Sequence, residues 1–481
     1  MLGKSIDSEN LFQGRDDYMN GKLSNESSSG RNYFQHDSLL QLVKVLNLLI
    51  MTGIFAGTWY LFYANTIVDP FYNLGNWVVI GIFATIYFFY GRTYDAFVVS
   101  LTSVSEKVYS QALSCLFTDA IMYIIIGVLT RHVPNVFPIL SCFLVQVFCS
   151  YLWSVSSYKW YFKRYPARRT AIVYNQENSL QQMIDEYGLG NKFDVEKIFR
   201  VDSILSTNIM ELKQYEIVFL ANIHSHQRNQ LIKFCIANDI RVYILPRIGD
   251  VIMSGAEQMH MLHLPVLHLG RYSPKPEYVF LKRAFDIIFA GLIFILISPI
   301  FIIVAVAIKI TDHGPVFYKQ IRLTKDGREF NVLKFRSMRV DAEKDGVARL
   351  STGENDDRVT SVGKFIRKVR LDELPQLLNI VKGDMSVVGP RPERPEIAQE
   401  YEEALPEFNL RLQAKAGLTG YAQVYGKYNT TPYDKLEMDL MYLANPSIFE
   451  DFKIIFATVK ILFVSESTEG VTEGQNTATK N

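Results

Sequence analysis

Four apolar runs, near residues 38–64, 75–91, 108–130 and 135–157, constrain this chain more than anything else in it. A hydrocarbon core takes roughly 20 helical residues to cross, and within it a helix satisfies its own backbone polar groups. The runs therefore predict a bundle of four transmembrane helices over 37–160. Trp59, Trp77, Trp153 and Trp160 fall near the run ends, where interfacial aromatics are expected. The segment SSYKWYFKRYPARR after the fourth run is strongly basic, whereas the first loop, NTIVDPFYNLG, has no Lys or Arg. The positive-inside rule then predicts a cytoplasmic N-terminus and a cytoplasmic chain from residue 165 onward. Arg92 and Lys107 in the second loop agree, and Arg131 in the third is a mild exception.

A chain of 481 residues has room for further domains. Lys+Arg (50) and Asp+Glu (49) nearly cancel, which argues against nucleic acid as a partner. Residues 1–36 and the tail 465–481 are polar and aperiodic, and disorder is expected for both. Cys115, Cys142, Cys149 and Cys235 have no metal-ligand spacing and read as reduced and structural.

A fifth apolar stretch, IIFAGLIFILISPIFIIVAVAI, covers 287–308. Ser298-Pro299 breaks it near the middle, because proline lacks a donor and clashes with the preceding turn. Both flanks are basic, with Lys282 and Arg283 before and Lys309, Lys319 and Arg322 after. Two basic ends suit a re-entrant hairpin, 285–309, that dips in and returns to one face; a kinked transmembrane helix is the plainer alternative.

Residues 166–270 alternate β-type runs (TAIVY, KIFRV, EIVFL, IRVYILP) with helical patterns, predicting a small parallel α/β, Rossmann-like domain. The turn after its first strand reads NQEN and has no glycine to approach a pyrophosphate. A spacer or oligomerisation domain is favoured over a nucleotide site. His224, His226, His260, His263 and His268 form no i,i+4 pairs and read as ordinary histidines.

The block 279–464 carries the chemistry. Residues 318–338 predict a hairpin turning at TKDGR. Then come RLDELPQLLNIVKGDMSVVGPRPERPE. Asp372 and Glu373 are adjacent, so on a helix they diverge by about 100° and cannot share a face. That suits divided roles, one acid meeting substrate and the other helping to hold Mg²⁺, which often takes one or two carboxylates plus substrate phosphates. Pro375 places Asp372 near a helix start, so a helix cap is the plain alternative. Arg391 and Arg394 sit among prolines, a stiff presentation for guanidinium groups that bind phosphate; a solvated turn is the alternative. The last helical pattern, 449–464, is apolar on one side, fitting either a membrane surface or a buried seat.

Residues 279–464 closely resemble the bacterial sugar transferases of the monotopic phosphoglycosyl transferase superfamily. The resemblance rests on KRAFD, Ser298-Pro299, KFRSM, RLDELPQLLNIVKGDMSVVGPRPE and GLTGYAQVYGK, in the family's order. With the four spans and the α/β domain, the chain resembles the long form, the polyprenyl-phosphate hexose-1-phosphate transferases. The resemblance implies a mixed α/β monotopic catalytic domain on the cytoplasmic face of the bacterial inner membrane. It implies transfer of a sugar 1-phosphate from a UDP-sugar to undecaprenyl phosphate, releasing UMP and starting a capsule, exopolysaccharide or O-antigen. It maps the nucleophile onto Asp372 and the Mg²⁺ partner onto Glu373, both acids serving as the metal pair. Phosphate contacts map onto Arg391, with Arg394, Lys282, Arg283 and Asp439 as further candidates. Lys282, Arg283 and Asp286 also match the motif at the start of the hairpin, where anchoring and site architecture are expected. The lipid bilayer and a second copy of the chain complete the expected partners. This chain has Ala416 where members often carry proline, and Lys427 where they often carry arginine. Two alternatives stand beside this reading. A polytopic phosphoglycosyl transferase would need more spans than the five apolar segments here. A non-catalytic membrane scaffold of a polysaccharide assembly complex is the other.

Overall fold

The computed structural model describes residues 39–69, 71, 74–100, 102–175, 180–339, 358–426 and 430–462. The termini expected to be disordered, most of the NQEN turn and Lys427 lie outside these residues. The chain divides into two compact units, 1–167 and 168–481.

The first unit holds four helices: α1 (Leu39–Tyr63), α2 (Gly75–Thr93), α3 (Val104–Thr130) and α4 (Phe137–Arg164). By length and apolarity α1, α3 and α4 suffice to cross a membrane; α2 has 19 residues and carries Asn76 and Arg92 near its ends. Polar residues on α3 and α4, among them Asp119, Gln146, Ser150 and Ser154, are buried within the bundle, as polar groups in spanning helices should be. Two tryptophans depart from the interfacial expectation. Trp59 is fully buried, its Nε1 donating to Asn76 Oδ1 at 3.0 Å, and Trp153 is buried beside Val99 and Tyr161. Trp77 is 62% exposed. Lys107, counted above as a loop charge, is buried in the first turn of α3, its Nζ donating to the Val99 carbonyl at 3.2 Å.

The second unit begins with β1 (Arg168–Tyr174), α5 (Leu180–Glu186), β2 (Phe193–Arg200), α6 (Val201–Thr207), β3 (Ile217–Ala221), α7 (Ser225–Ala237) and β4 (Arg241–Ile244). The four strands are all parallel in the order β2-β1-β3-β4, as the alternating pattern predicts. Residues 170–173 of β1 and all of β3 are buried without alternation because both sheet faces are covered. Ile172, Ile217 and Phe219 fill one core; Ala171, Val173, Val218 and Leu220 fill the other. Next come α8 (Ile248–Ser254) and a hairpin of β5 (Glu257–Met261) and β6 (Leu264–His268).

The apolar stretch at 287–308 belongs to one helix, α9 (Pro276–Asp312), with Pro299 inside it. Proline leaves the Ile295 carbonyl without its usual donor, and the Ser298 hydroxyl takes that place at 2.8 Å. The expected hairpin at TKDGR is present. β7 (Phe317–Leu323) and β8 (Glu329–Phe335) pair antiparallel, and the turn between them puts Asp326 and Gly327 at φ 61° and 72°. The remaining elements are α10 (Ser361–Lys368), α11 (Gln376–Lys382), β9 (Ser386–Val388), α12 (Pro395–Ala404), β10 (Gly417–Thr419), α13 (Tyr421–Tyr425), α14 (Pro432–Ala444) and α15 (Ile448–Leu462). One core joins Ala290 of α9, Val332 of β8, Ile380 of α11, Val387 of β9, Leu440 of α14 and Ile454 of α15. The last helix places Ile454 in that core with Ile455 packed partly against it, and leaves Phe449 exposed.

Candidate active site

The two acids arrive by a sharp reversal. After α10, Arg370 adopts a left-handed conformation (φ 58°), and Leu371–Glu373 form a single 3-10 turn ahead of α11. The cap of α11 is Pro375, with no side-chain cap hydrogen bond, so neither acid caps it. With three residues per turn, Asp372 and Glu373 point in different directions, as adjacency predicts.

Their surroundings differ. Glu373 Oε1 lies 3.0 Å from an Arg391 nitrogen and 3.4 Å from Lys334 Nζ. Burial opposes ionisation of Glu373, but the charges of Arg391, Lys334 and Arg370 outweigh it and hold its carboxyl well below the usual range. Asp372 is half-buried. Burial, then the charge of Glu373, push its carboxyl above the ordinary range, against Lys334, Arg367 and Arg370. One acid is neutralised by protein cations; the other carries a charge that the protein under-compensates.

Arg391 is presented by a loop whose carbonyls from Pro390 to Arg394 all have donors. The carbonyl of Pro390 accepts from Gly417 N (2.9 Å), that of Arg391 from the Arg411 guanidinium (2.9 Å), that of Pro392 from Arg322 (3.0 Å) and that of Glu393 from Leu323 N (3.0 Å). The Arg394 carbonyl starts α12 by accepting from Ala398 N at 2.9 Å. Prolines fix φ and these bonds hold the carbonyls, so the loop is rigid. The Arg391 side chain stays 42% exposed, which leaves room for a phosphate. Arg411 is buried against Asp439, 2.7 Å away, and Glu393 draws in Arg322, Arg411 and Lys435 at 3.8, 3.7 and 3.9 Å.

Glycines let the loop reach its place. A Cβ on Gly417 would sit 2.2 Å from Gly389 N, and one on Gly420 2.2 Å from Gly389 O. The backbones cross too closely for any side chain. Gly417→Ala is expected to destabilise the protein by about 1–3 kcal/mol, read as a lowered melting temperature in detergent; an unchanged melt refutes the crossing. Ala416 also has a local reason. Its N–H donates to Thr324 Oγ1 at 3.1 Å, while the Thr324 hydroxyl donates to the Asp384 carbonyl at 2.9 Å. A proline at 416 would have no N–H to give.

Of the other phosphate candidates, Lys282, Arg283 and Asp439 have protein partners. Lys282 Nζ is 2.9 Å from Asp451, which also accepts from the Tyr442 and Tyr278 hydroxyls. Arg283 donates to the carbonyls of Ile380 and Val381 at the end of α11, where cations are favoured. Asp286 is buried and accepts from Ser386 Oγ and Val387 N at 2.8 and 3.0 Å. These three tie α9 to α11, α15 and β9. Asp439 is buried under the loop, with Arg411 as its partner. Arg394 is the N-cap of α12. Sequence reading assigned no role to Lys334 or Arg411, although KFRSM contains the first. It read Arg322 as a membrane flank, whereas its guanidinium turns inward to the Arg391 loop.

Among the described residues no group of three or more His, Cys, Asp or Glu gathers to hold a metal. Asp372 and Glu373 are hard oxygen donors, and two carboxylates are what Mg²⁺ takes when substrate phosphates complete its shell. The charge at Asp372 that Lys334, Arg367 and Arg370 leave under-compensated is what a cation there would relieve, so Asp372 with Glu373 beside it fits Mg²⁺.

Comparison with known proteins places this geometry. The family model for "Bacterial sugar transferase" matches residues 277–465, a span holding α9, both acids and the Arg391 loop. A UDP-N-acetylgalactosamine-undecaprenyl-phosphate N-acetylgalactosaminephosphotransferase of Aeromonas hydrophila is 38% identical over 47% of this chain and 53% of its own length. A UDP-glucose:undecaprenyl-phosphate glucose-1-phosphate transferase of Klebsiella pneumoniae is 45% identical over 39% of this chain and 41% of its own. The chain thus matches about half, or less, of those two relatives. The exopolysaccharide production protein PSS of Rhizobium leguminosarum bv. phaseoli is 42% identical over 40% of this chain and 96% of its own length. With that relative matched almost end to end and the family model lying over the acids and their arginine loop, this chain belongs to the bacterial sugar transferase family.

Proposed function

We propose that this chain transfers a sugar 1-phosphate from a UDP-sugar to undecaprenyl phosphate, releasing UMP and starting a lipid-linked polysaccharide. The observation that carries this is the asymmetry of the acids: Glu373 clamped by Arg391 and Lys334, Asp372 beside it half-buried and under-compensated. An Asp372 oxygen attacks the phosphorus bearing the sugar, the bond to the UMP oxygen breaks, and UMP leaves with that electron pair. An oxygen of undecaprenyl phosphate then attacks the same phosphorus and frees the carboxylate. Arg391 binds phosphate oxygens, and Glu373 and Lys334 hold Arg391 and the acids in register. Asp372 and Glu373 would hold Mg²⁺, which would supply neutralising charge for the diphosphate.

The test incubates membranes bearing the chain with a panel of UDP-sugars, Mg²⁺ and undecaprenyl phosphate and measures UMP. No release from any donor favours the scaffold reading. Asp372 must be ionised to attack, so whatever raises its carboxyl moves the acid limb of the rate profile up. Glu373→Gln removes the neighbouring charge that helps raise it, and the limb of the residual activity should move to lower pH. A limb that stays put, or moves up, overturns the pairing.

The same reading places the unit of α9 onward at the cytoplasmic face of the inner membrane, with α9 re-entrant. Supporting re-entry, α9 packs on the catalytic block on both sides of Pro299, Ala290 in one core and Val304 with Ile308 in another. Single cysteines at the two flanks of 287–308 should react with an impermeant thiol reagent only from the cytosol. Labelling of one flank from outside makes α9 a span. The parallel sheet we read as Rossmann-like.

A further inference from the structure

The parallel sheet is built into the catalytic core. Leu245 N donates to the Leu220 carbonyl at 3.0 Å and Arg247 donates to the Asn222 carbonyl at 2.9 Å, so the short link after β4 is tied to the sheet. It delivers α8, whose Asp250 forms an ion pair with the largely buried Arg228 of α7 and also accepts from Arg247 N at 2.9 Å. The next residue, Val251, is buried in the core that holds Leu436, Leu440 and Leu443 of α14. At the end of α8, a Cβ on Gly255 would lie 2.8 Å from the Ala444 carbonyl oxygen, so the two helix ends touch.

The neighbouring face of α14 serves the active site. Lys435 and Asp439, four residues apart, share a face that reaches Glu393 and Arg411. Arg411 holds the Arg391 carbonyl. A shift of α8 is therefore a shift of the helix that seats the Arg391 loop.

We propose that the sheet domain positions Arg391 through α8 and α14, with Arg228, Asp250 and Val251 as positioning residues. The proposal rests on the transferase reading for its kinetic consequence and stands without it for its mechanical one. In the full chain in detergent or nanodiscs, Arg228→Met and Val251→Ala should each lower the turnover of UMP release about tenfold. Arg228→Lys, which keeps a cation for Asp250, should recover part of the loss. Arg169→Ala, at an exposed pair with Glu196 on the same sheet, should change nothing. Combining Arg228→Met with Arg411→Lys should cost less than the sum of the two, because both act through one chain of contacts.

Hydrogen exchange supplies a readout independent of activity. Both variants should speed exchange in α14 and in the peptide 389–396 while β1 and β3 stay protected. Unchanged exchange there overturns the proposal, as do wild-type turnover in both variants or strictly additive losses with Arg411→Lys. If the wild-type chain releases UMP from no donor, the transferase reading falls and exchange alone decides this one.

Discussion

Asp372→Asn should lower UMP release at least about 10³-fold, the scale seen when a nucleophile is lost, while the protein stays folded and in the membrane. The structure makes that pairing of outcomes specific. Asp372 caps no helix, and its carboxyl is raised by burial and by Glu373. A group whose folded carboxyl lies above its unfolded value costs stability when ionised, so at neutral pH replacing it with a neutral amide relieves the fold. The melting temperature should hold or rise as activity disappears. The reaction supplies a second readout. Wild-type chain incubated with labelled UDP-sugar and no lipid acceptor should retain label from the sugar phosphate, and Asp372→Asn should retain none. Near-normal turnover in the variant, or label retained by it, removes Asp372 from the nucleophile's role. A loss of activity that comes with a collapsed melt would instead make it a structural residue.

What the sequence made legible follows from how local each signal is. Apolar runs, among them AIVY of β1 and IVFLA of β3, are properties of short windows, and the helices and parallel strands stand where those windows predict. The acids were legible through the motif around them, and their divergence through adjacency alone. The support of the site was not, because it joins distant positions. Lys334 meets Glu373 across 39 residues of chain and Arg322 meets Pro392 across 70. Nothing in a window tells a guanidinium that flanks a membrane from one that folds inward, and Arg322 was misread for that reason. Two of the four tryptophans failed similarly: Trp59 sits at a run end but has Asn76 as an internal partner, so it faces the bundle instead of the interface. Ala416 looked like a departure from a pattern until the Thr324 hydroxyl gave its N–H a use.

The buried Arg411–Asp439 pair offers the largest stability effect. Both side chains are nearly inaccessible, 3% and 2% exposed, so Arg411→Met leaves a carboxylate with its chief partner gone and should cost about 3–5 kcal/mol. The pH dependence distinguishes this from a packing defect. Burial already pushes Asp439 up to about 6 in the fold, against Arg411, while the unfolded group titrates in the ordinary aspartate range. A carboxyl raised in this way binds its proton more tightly when folded, which favours the fold in acid. That advantage is lost as pH rises through the folded value. Without Arg411 the upward push grows, so Arg411→Met should lie nearest the wild type at pH 5 and furthest below it at pH 8, in melts at matched ionic strength. Adding Asp439→Asn removes the stranded charge and should return most of the stability. It cannot return the hydrogen bond that Arg411 gives the Arg391 carbonyl, so UMP release should stay low in the double variant. A deficit that is flat with pH, or a double variant that recovers turnover along with stability, would mean the pair holds the fold without holding Arg391.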